Sequence, residues 1–244
     1  MKLVDSLYCY IWPGRGNNCN TYVFANVLDG GRPHLLIDPG HVENEVGERC
    51  FDHLLMSMES DGLKPEEVGL IVITHAHPDH CAASQDLVQR TRANVGAGKV
   101  EQALIAMHED EDRFRREMAG RMGRQMGFEP DICLREGDLV LGKECKTNLK
   151  VLHTPGHSPG SISIHWPDNG VLITGDAVFY AAIGRTDIPG GDSKQLKQSI
   201  EKLSELEIDY LLAGHGTQFG SIIEGREMVA RNFTFIRMNY FPML

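Results

Sequence analysis

The chain is 244 residues long and 41% hydrophobic, enough apolar mass for a packed core, which excludes a disordered, collagenous or coiled-coil chain. Lys and Arg number 24 against 34 Asp and Glu, a net charge of −10, and the longest cationic run is Arg115-Arg116, so a nucleic-acid partner is not expected. No stretch reaches the roughly 20 apolar residues of a membrane span, the first residues (MKLVDSLYCY) lack the apolar run of a secretory signal, and the six cysteines, with no CxxC pair, read as reduced thiols; a cytoplasmic protein is the expectation.

In chain order, the first quarter reads as β structure. Leu3 to Trp12 and Asn20 to Val27 alternate apolar and polar residues, Asp29-Gly30-Gly31 marks a turn, and His34 to Ile37 is a short buried run stopped by Asp38-Pro39-Gly40. Val46, Phe51, Leu54, Leu55 and Met58 then recur at helical spacing, predicting an amphipathic helix of about four turns. Leu70 to Ile73 is a continuous apolar run, as in a strand covered on both faces, and a helix is expected from about Asp79 to Arg90. The stretch 99–127, with Met107, Phe114, Met118, Met122 and Met126 in one stripe, reads as an inserted helical hairpin. Strands are expected at Leu139 to Leu141, Leu149 to Leu152, Ser161 to His165 and Val171 to Thr174. A helix with Leu196, Ile200 and Leu203 on one face, a short strand at Tyr210 to Leu212 and a last helix from about Ser221 into the 230s complete the pattern. The apolar tail, from Phe233 to Leu244, must pack on the body, reach over a cleft or bury in a homodimer. No repeat or linker divides residues 1–244, so one layered domain is expected.

Eleven histidines are the less ordinary feature, and their placement matters more than their number. Thr74-His75-Ala76-His77-Pro78-Asp79-His80 follows directly on the buried Leu70 to Ile73 run. Two residues apart in extended backbone, His75 and His77 point to one side; Pro78 then turns the chain, and Asp79 and His80 open the next helix, aimed back at the strand end. Four metal-competent side chains so close together can surround one or two cations, and three imidazoles beside a buried strand are otherwise costly to satisfy. The remaining candidates each follow a strand and are preceded by a glycine: His157 in TPGHSPG, Asp176 in ITGD and His215 in AGHG.

These motifs, HxHxDH, TPGH, TGD and GHG in that order, closely resemble the metallo-β-lactamase-fold superfamily over nearly the whole chain. The resemblance implies an α/β fold, a four-layer αββα sandwich with the helical insert near 99–127, and metals on one edge. It implies further that His75, His77 and His157 hold one divalent ion, Asp79, His80 and His215 a second, and that Asp176 bridges them. Imidazole and carboxylate ligands without thiolate suit zinc and leave iron or manganese open. Two such ions lower the pKa of a shared water, so that a metal-bound hydroxide attacks a carbonyl carbon, with Asp79 orienting the nucleophile or moving a proton. A thiolate leaves without an obligatory acid, which favours thioesters or activated esters over amides.

After Asp176, the pieces GRTD and PGGD resemble the small bacterial glyoxalase II-like hydrolases and also the persulfide dioxygenases. The expected substrate is a small anionic thioester or ester, of hydroxyacylglutathione type, met by Tyr180, Arg185 and Thr186; Asp187 is equally suited to pair with Arg185 and shape the loop. The larger glyoxalase II pattern differs: its Lys and Tyr glutathione contacts are replaced around Arg185, and a counterpart of its C-terminal helical domain is not expected. Two alternatives stand beside the hydrolase. One is a mononuclear iron persulfide dioxygenase, for which His75, His157 and Asp176 would form the facial ligand set; the other is a metal-binding scaffold or sensor without catalysis.

Overall fold

A computed structural model describes residues 1–98, 131–139 and 147–244; the expected helical hairpin at 99–127 and most of the expected strand at Leu139 to Leu141 lie outside the described residues. The chain gathers into two compact units, Met1–Leu134 with Val140–Thr147, and Arg135–Leu139 with Asn148–Leu244. Each combines one large sheet with helices, the α/β class expected.

The sheet of the first unit has seven strands in chain order: β1 (Lys2–Val4), β2 (Leu7–Tyr10), β3 (Thr21–Phe24), β4 (His34–Ile37), β5 (Val68–Ile73), β6 (Asn94–Gly98) and β7 (Ile132–Leu134). It is antiparallel as far as β4 and parallel from β4 to β7. Parallel neighbours need crossovers, and helices supply them: α1 (Cys50–Ser60) between β4 and β5, then α2 (Pro78–Cys81) and α3 (Ser84–Thr91) before β6. Phe51, Leu54, Leu55 and Met58 of α1 and Leu87 of α3 pack with Val23, Leu36, Ile71 and Ile73 in one core. Leu70 and Val72, on the other face of β5, are buried as well, as the unbroken apolar run requires.

The second unit has a six-stranded sheet, ordered β15-β14-β11-β10-β9-β8, from β8 (Gly137–Asp138), β9 (Lys150–His153), β10 (Ile162–Trp166), β11 (Val171–Ile173), β14 (Tyr210–Thr217) and β15 (Gly220–Glu224). Only the β11–β14 pair among these is parallel. A small hairpin, β12 (Val178–Phe179) and β13 (Ala182–Ile183), follows Asp176. Leu196, Ile200 and Leu203 of α4 (Ser193–Leu203) and Val229, Phe233 and Ile236 of α5 (Arg226–Asn239) pack on Leu172, Leu211 and Ile223. Asp192 caps α4, its Oδ1 accepting the N–H groups of Lys194 and Gln195.

Several boundaries depart from the sequence reading. The stretch Leu3 to Trp12 is a hairpin rather than one strand, because Asp5 turns the chain at φ +46°. Helix α1 begins only at Cys50, leaving Val46 outside it at 53% exposure, and the helix expected from Asp79 to Arg90 is split into α2 and α3. β14 runs on past Leu212 to Thr217, and Ser221 to Glu224, read as the start of a helix, pairs with it as β15. Gly225, at φ +97°, ends that strand and α5 starts after it. The apolar tail packs on the second unit: Tyr240 and Phe241 lie against its core, and Tyr240 Oη donates to Ala181 O at 3.1 Å.

Candidate metal centre

In the first unit the parallel strands β4 and β5 end side by side. Asp38 N–H donates to Val72 O at 3.0 Å, and Thr74 N–H donates back to Asp38 Oδ1 at 2.8 Å. Beyond β5 the chain bends at Thr74 and His75 instead of running on extended as the sequence suggests, is extended again at His77, and Pro78, at the first position of α2, folds Asp79 and His80 back toward the strand ends. The His75 ring centroid stands 4.6 Å from that of His77 and 4.1 Å from that of His80. Ligand atoms of His75 and His77, of His75 and His80, and of Asp79 and His80 come within 4.8 Å of one another. His75, Asp79 and His80 are buried and His77 is half-buried.

Asp38 organises this cluster. Its Oδ2 accepts from Thr74 Oγ1 at 2.6 Å and from His80 Nδ1 at 2.8 Å. Having given its proton to Asp38, the Thr74 hydroxyl is an acceptor for His75 Nδ1 at 3.1 Å. One carboxylate thus holds two imidazoles with Nδ1 protonated and Nε2 carrying the lone pair, the tautomer a metal needs. Asp38 does so from a left-handed backbone, φ +54°, which aspartate tolerates better than most residues. Asn17 Nδ2 donates to Asp79 Oδ2 at 2.8 Å and sets that carboxylate. Neither Asp38 nor Asn17 stood out in the sequence as a site residue; the only signal for Asp38 was a carboxylate at the end of a buried strand, read there as a turn.

In the second unit Asp176 follows β11 and His215 belongs to its parallel partner β14, the two joined by Thr174 N–H to Leu212 O at 3.0 Å and Gly214 N–H to Gly175 O at 2.8 Å. His215 lies within β14 rather than beyond a strand end, at the irregular stretch of its ladder between Leu212 and Thr217. His157 is carried by the loop after β9, where Gly156 at φ +132° passes so close to α4 that a Cβ would strike the Leu196 backbone. Its Nδ1 donates to Arg185 O at 2.9 Å, so this imidazole too offers Nε2.

Asp176 Oδ2 stands 3.6 Å from His157 Nε2 and 3.5 Å from His215 Nε2. Two donors each about 2.1 Å from one tetrahedral ion are about 3.4 Å apart, so the separations in this unit fit shared coordination of divalent cations. Nitrogen and oxygen donors with fixed tautomers make the same point chemically. Of the expected substrate contacts, Tyr180 is half-buried at the turn of the β12–β13 hairpin, and Thr186 is half-buried in the loop after it. Arg185 is exposed, its fork paired with Asp187 at 2.9 and 3.0 Å, which raises the guanidinium pKa and lowers that of the carboxyl.

The sequence profile of the metallo-beta-lactamase superfamily matches residues 14–215, spanning every one of these positions. The chain belongs to that superfamily. Two curated relatives agree with the placement. The probable metallo-hydrolase YqgX of Bacillus subtilis is 32% identical over 194 residues, 78% of this chain and 83% of the relative. The hydroxyacylglutathione hydrolase GloC of Haemophilus influenzae is 30% identical over 200 residues, 78% and 84% of the two chains. Among solved structures, TTHA1623 in a di-iron-bound form superposes with a TM-score of 0.60 at 28% identity, covering 88% of this chain and 93% of that one. Superfamily membership makes the α/β architecture a metallo-beta-lactamase fold, its relatives include a probable metallo-hydrolase, and the His and Asp groups could hold a metal ion.

Proposed function

We propose that this chain is a dinuclear metal-dependent hydrolase of small anionic thioesters or activated esters, of the hydroxyacylglutathione type. The observation that carries the reading is Asp176, one carboxylate oxygen poised between His157 and His215 at 3.6 and 3.5 Å, as a ligand shared by two ions would be. His75, His77 and His157 would hold one ion, Asp79, His80 and His215 the other, with Asp176 common to both. The donor set suits zinc, and the di-iron form of TTHA1623 supports testing iron beside it. When bound, such a pair lowers the pKa of a shared water toward neutrality and polarises the substrate carbonyl.

The chain's own groups do the rest. Asn17 holds one oxygen of Asp79, so that this carboxylate can orient the attacking water and receive its proton. Asp38 keeps His80 directly, and His75 through Thr74, in the ligating tautomer. A thiol of pKa about 8.5 leaves readily as the thiolate, so a thioester demands no general acid where an amide would. The name and similarity of GloC support the hydroxyacylglutathione type. Arg185, Thr186 and Tyr180 would meet the substrate, the first by exchanging Asp187 for a substrate carboxylate. A net charge of −10 favours a small molecule over a nucleic acid.

The test is metal content per chain in anaerobically purified protein, with the same sample then offered glutathione thioesters, lactones and persulfides. Two ions per chain, with thioester hydrolysis that a chelator abolishes and zinc restores, is the expected result. One iron per chain with oxygen uptake on glutathione persulfide would overturn the hydrolase, and firm metal binding with no turnover of any substrate would leave a scaffold.

A further inference from the structure

Two hairpin tips of the second unit meet, and each carries an aromatic ring four residues along the chain from a proposed metal ligand: Tyr180 after Asp176, and Phe219 after His215. The two rings are in contact, centroids 5.6 Å apart and inclined at 41°. Phe179, next to Tyr180, places its ring 6.3 Å from that of His215. A scattered apolar residue in water needs no explanation, but Phe219 is 56% exposed and firmly placed. The Thr217 hydroxyl donates to Tyr180 O at 2.9 Å and accepts from Phe219 N–H at 3.1 Å, so one side chain bolts the two tips together. Gly220, at φ +118°, completes the tight turn after Phe219.

We propose that Tyr180 and Phe219 form an aromatic shelf that selects substrates whose acyl part bears an aryl group. The inference rests on the thioester hydrolase reading: there the thiol arm is polar and charged and gains nothing from an apolar surface, so the shelf falls to the acyl arm. Phe179, the residue before Tyr180, lies with its ring 6.3 Å from that of His215, which ties the shelf to this ligand. An aryl ring laid on Phe219 removes apolar surface from water on both partners and adds an aromatic contact already oriented by Thr217. Little backbone freedom remains to be lost on binding, because Thr217 holds the main chain of both tips in advance.

The probe is a pair of carboxylates that resemble the acyl product, phenylacetate and acetate, titrated into the metal-loaded protein by calorimetry. Wild type is expected to bind phenylacetate at least about tenfold more tightly. Phe219→Ala should bring that ratio below about threefold, Phe219→Leu to an intermediate value, and Phe219→Tyr should keep it. Equal affinities in wild type, or an undiminished ratio in Phe219→Ala, overturn the shelf, as does a change of oligomeric state in that variant, which would mean that a second copy covers the ring. The two readings fail separately. Aryl preference in binding without hydrolysis of any ester sinks the hydrolase and keeps the shelf, whereas hydrolysis without aryl preference does the reverse.

Discussion

Replacing Asp38 by asparagine isolates the role of its charge and its accepting oxygens, since asparagine matches its size and accepts the left-handed backbone equally well. Three donors converge on this buried carboxylate: Thr74 N–H on Oδ1, and Thr74 Oγ1 and His80 Nδ1 on Oδ2. An amide offers one oxygen. Placed toward His80 and the Thr74 hydroxyl, it turns its NH2 against the Thr74 N–H; flipped, it turns the NH2 against the imidazole. Either way a buried donor faces a donor, a loss of about 1–3 kcal/mol of stability in the metal-free protein. The imidazole it no longer holds as a charged acceptor would lose metal affinity by about 10–100-fold. Competition against a chromophoric chelator gives the affinity, and urea unfolding of the metal-free protein gives the stability. Asp38→Asn with an unfolding midpoint shifted as expected but metal affinity within about threefold of wild type would refute the orienting role.

Three further outcomes follow from other parts of the structure. Gly184→Ala should weaken both folding and metal binding, because its Cβ would run into the Asp176 main-chain oxygen and press on His157 Cβ; an unchanged metal affinity would show that the loop yields freely. Arg185→Ala should leave metal affinity and unfolding midpoint as they are, since the main-chain carbonyl of Arg185 holds His157 and its exposed pair with Asp187 is screened; weaker binding of anionic substrates is the expected change. Burial holds the pKa values of His34 and His165 below the ordinary histidine value, with Lys150 adding to the effect at His165. The unfolded chain therefore takes up protons first, so this stability is present above about pH 6.5 and is lost as pH falls toward the folded-state values. Denaturant titrations between pH 7 and 5 should show the decline, and His165→Phe should reduce its slope; an identical slope would contradict it.

The candidate ligands were legible because each sits in a local motif: His75 and His77 close together after a buried strand, Pro78 at a helix start, and glycines before His157, Asp176 and His215. Asp38 was not, because its importance arises from the parallel pairing of β4 with β5, a contact between residues 36 apart that no local pattern announces. The same limit explains the strands. NVGAG at β6 has almost no β-branched content and is a strand by virtue of its ladder to β5. Ser221 to Glu224 looked helical beside the amphipathic stretch that follows, until pairing with β14 claimed it. Tertiary pairing decided these segments, and local preference decided the rest.

Asn232 of α5 is buried, and its amide reaches across to the hairpin after Asp176, accepting from Ala181 N–H at 2.7 Å and donating to Phe179 O at 3.0 Å. With Tyr240 Oη on Ala181 O and the Thr217 hydroxyl on Tyr180 O, the hairpin tip is gripped at four main-chain atoms, although Ala181 adopts φ +54° there. A clasp that reads only backbone is indifferent to which residues the hairpin displays. Those hydrogen bonds would survive a change of side chain at the tip, while Val178, buried in the core, anchors the strand that follows Asp176, which makes the tip a natural place for new specificities to be tried, by mutation in nature or by redesign at the bench.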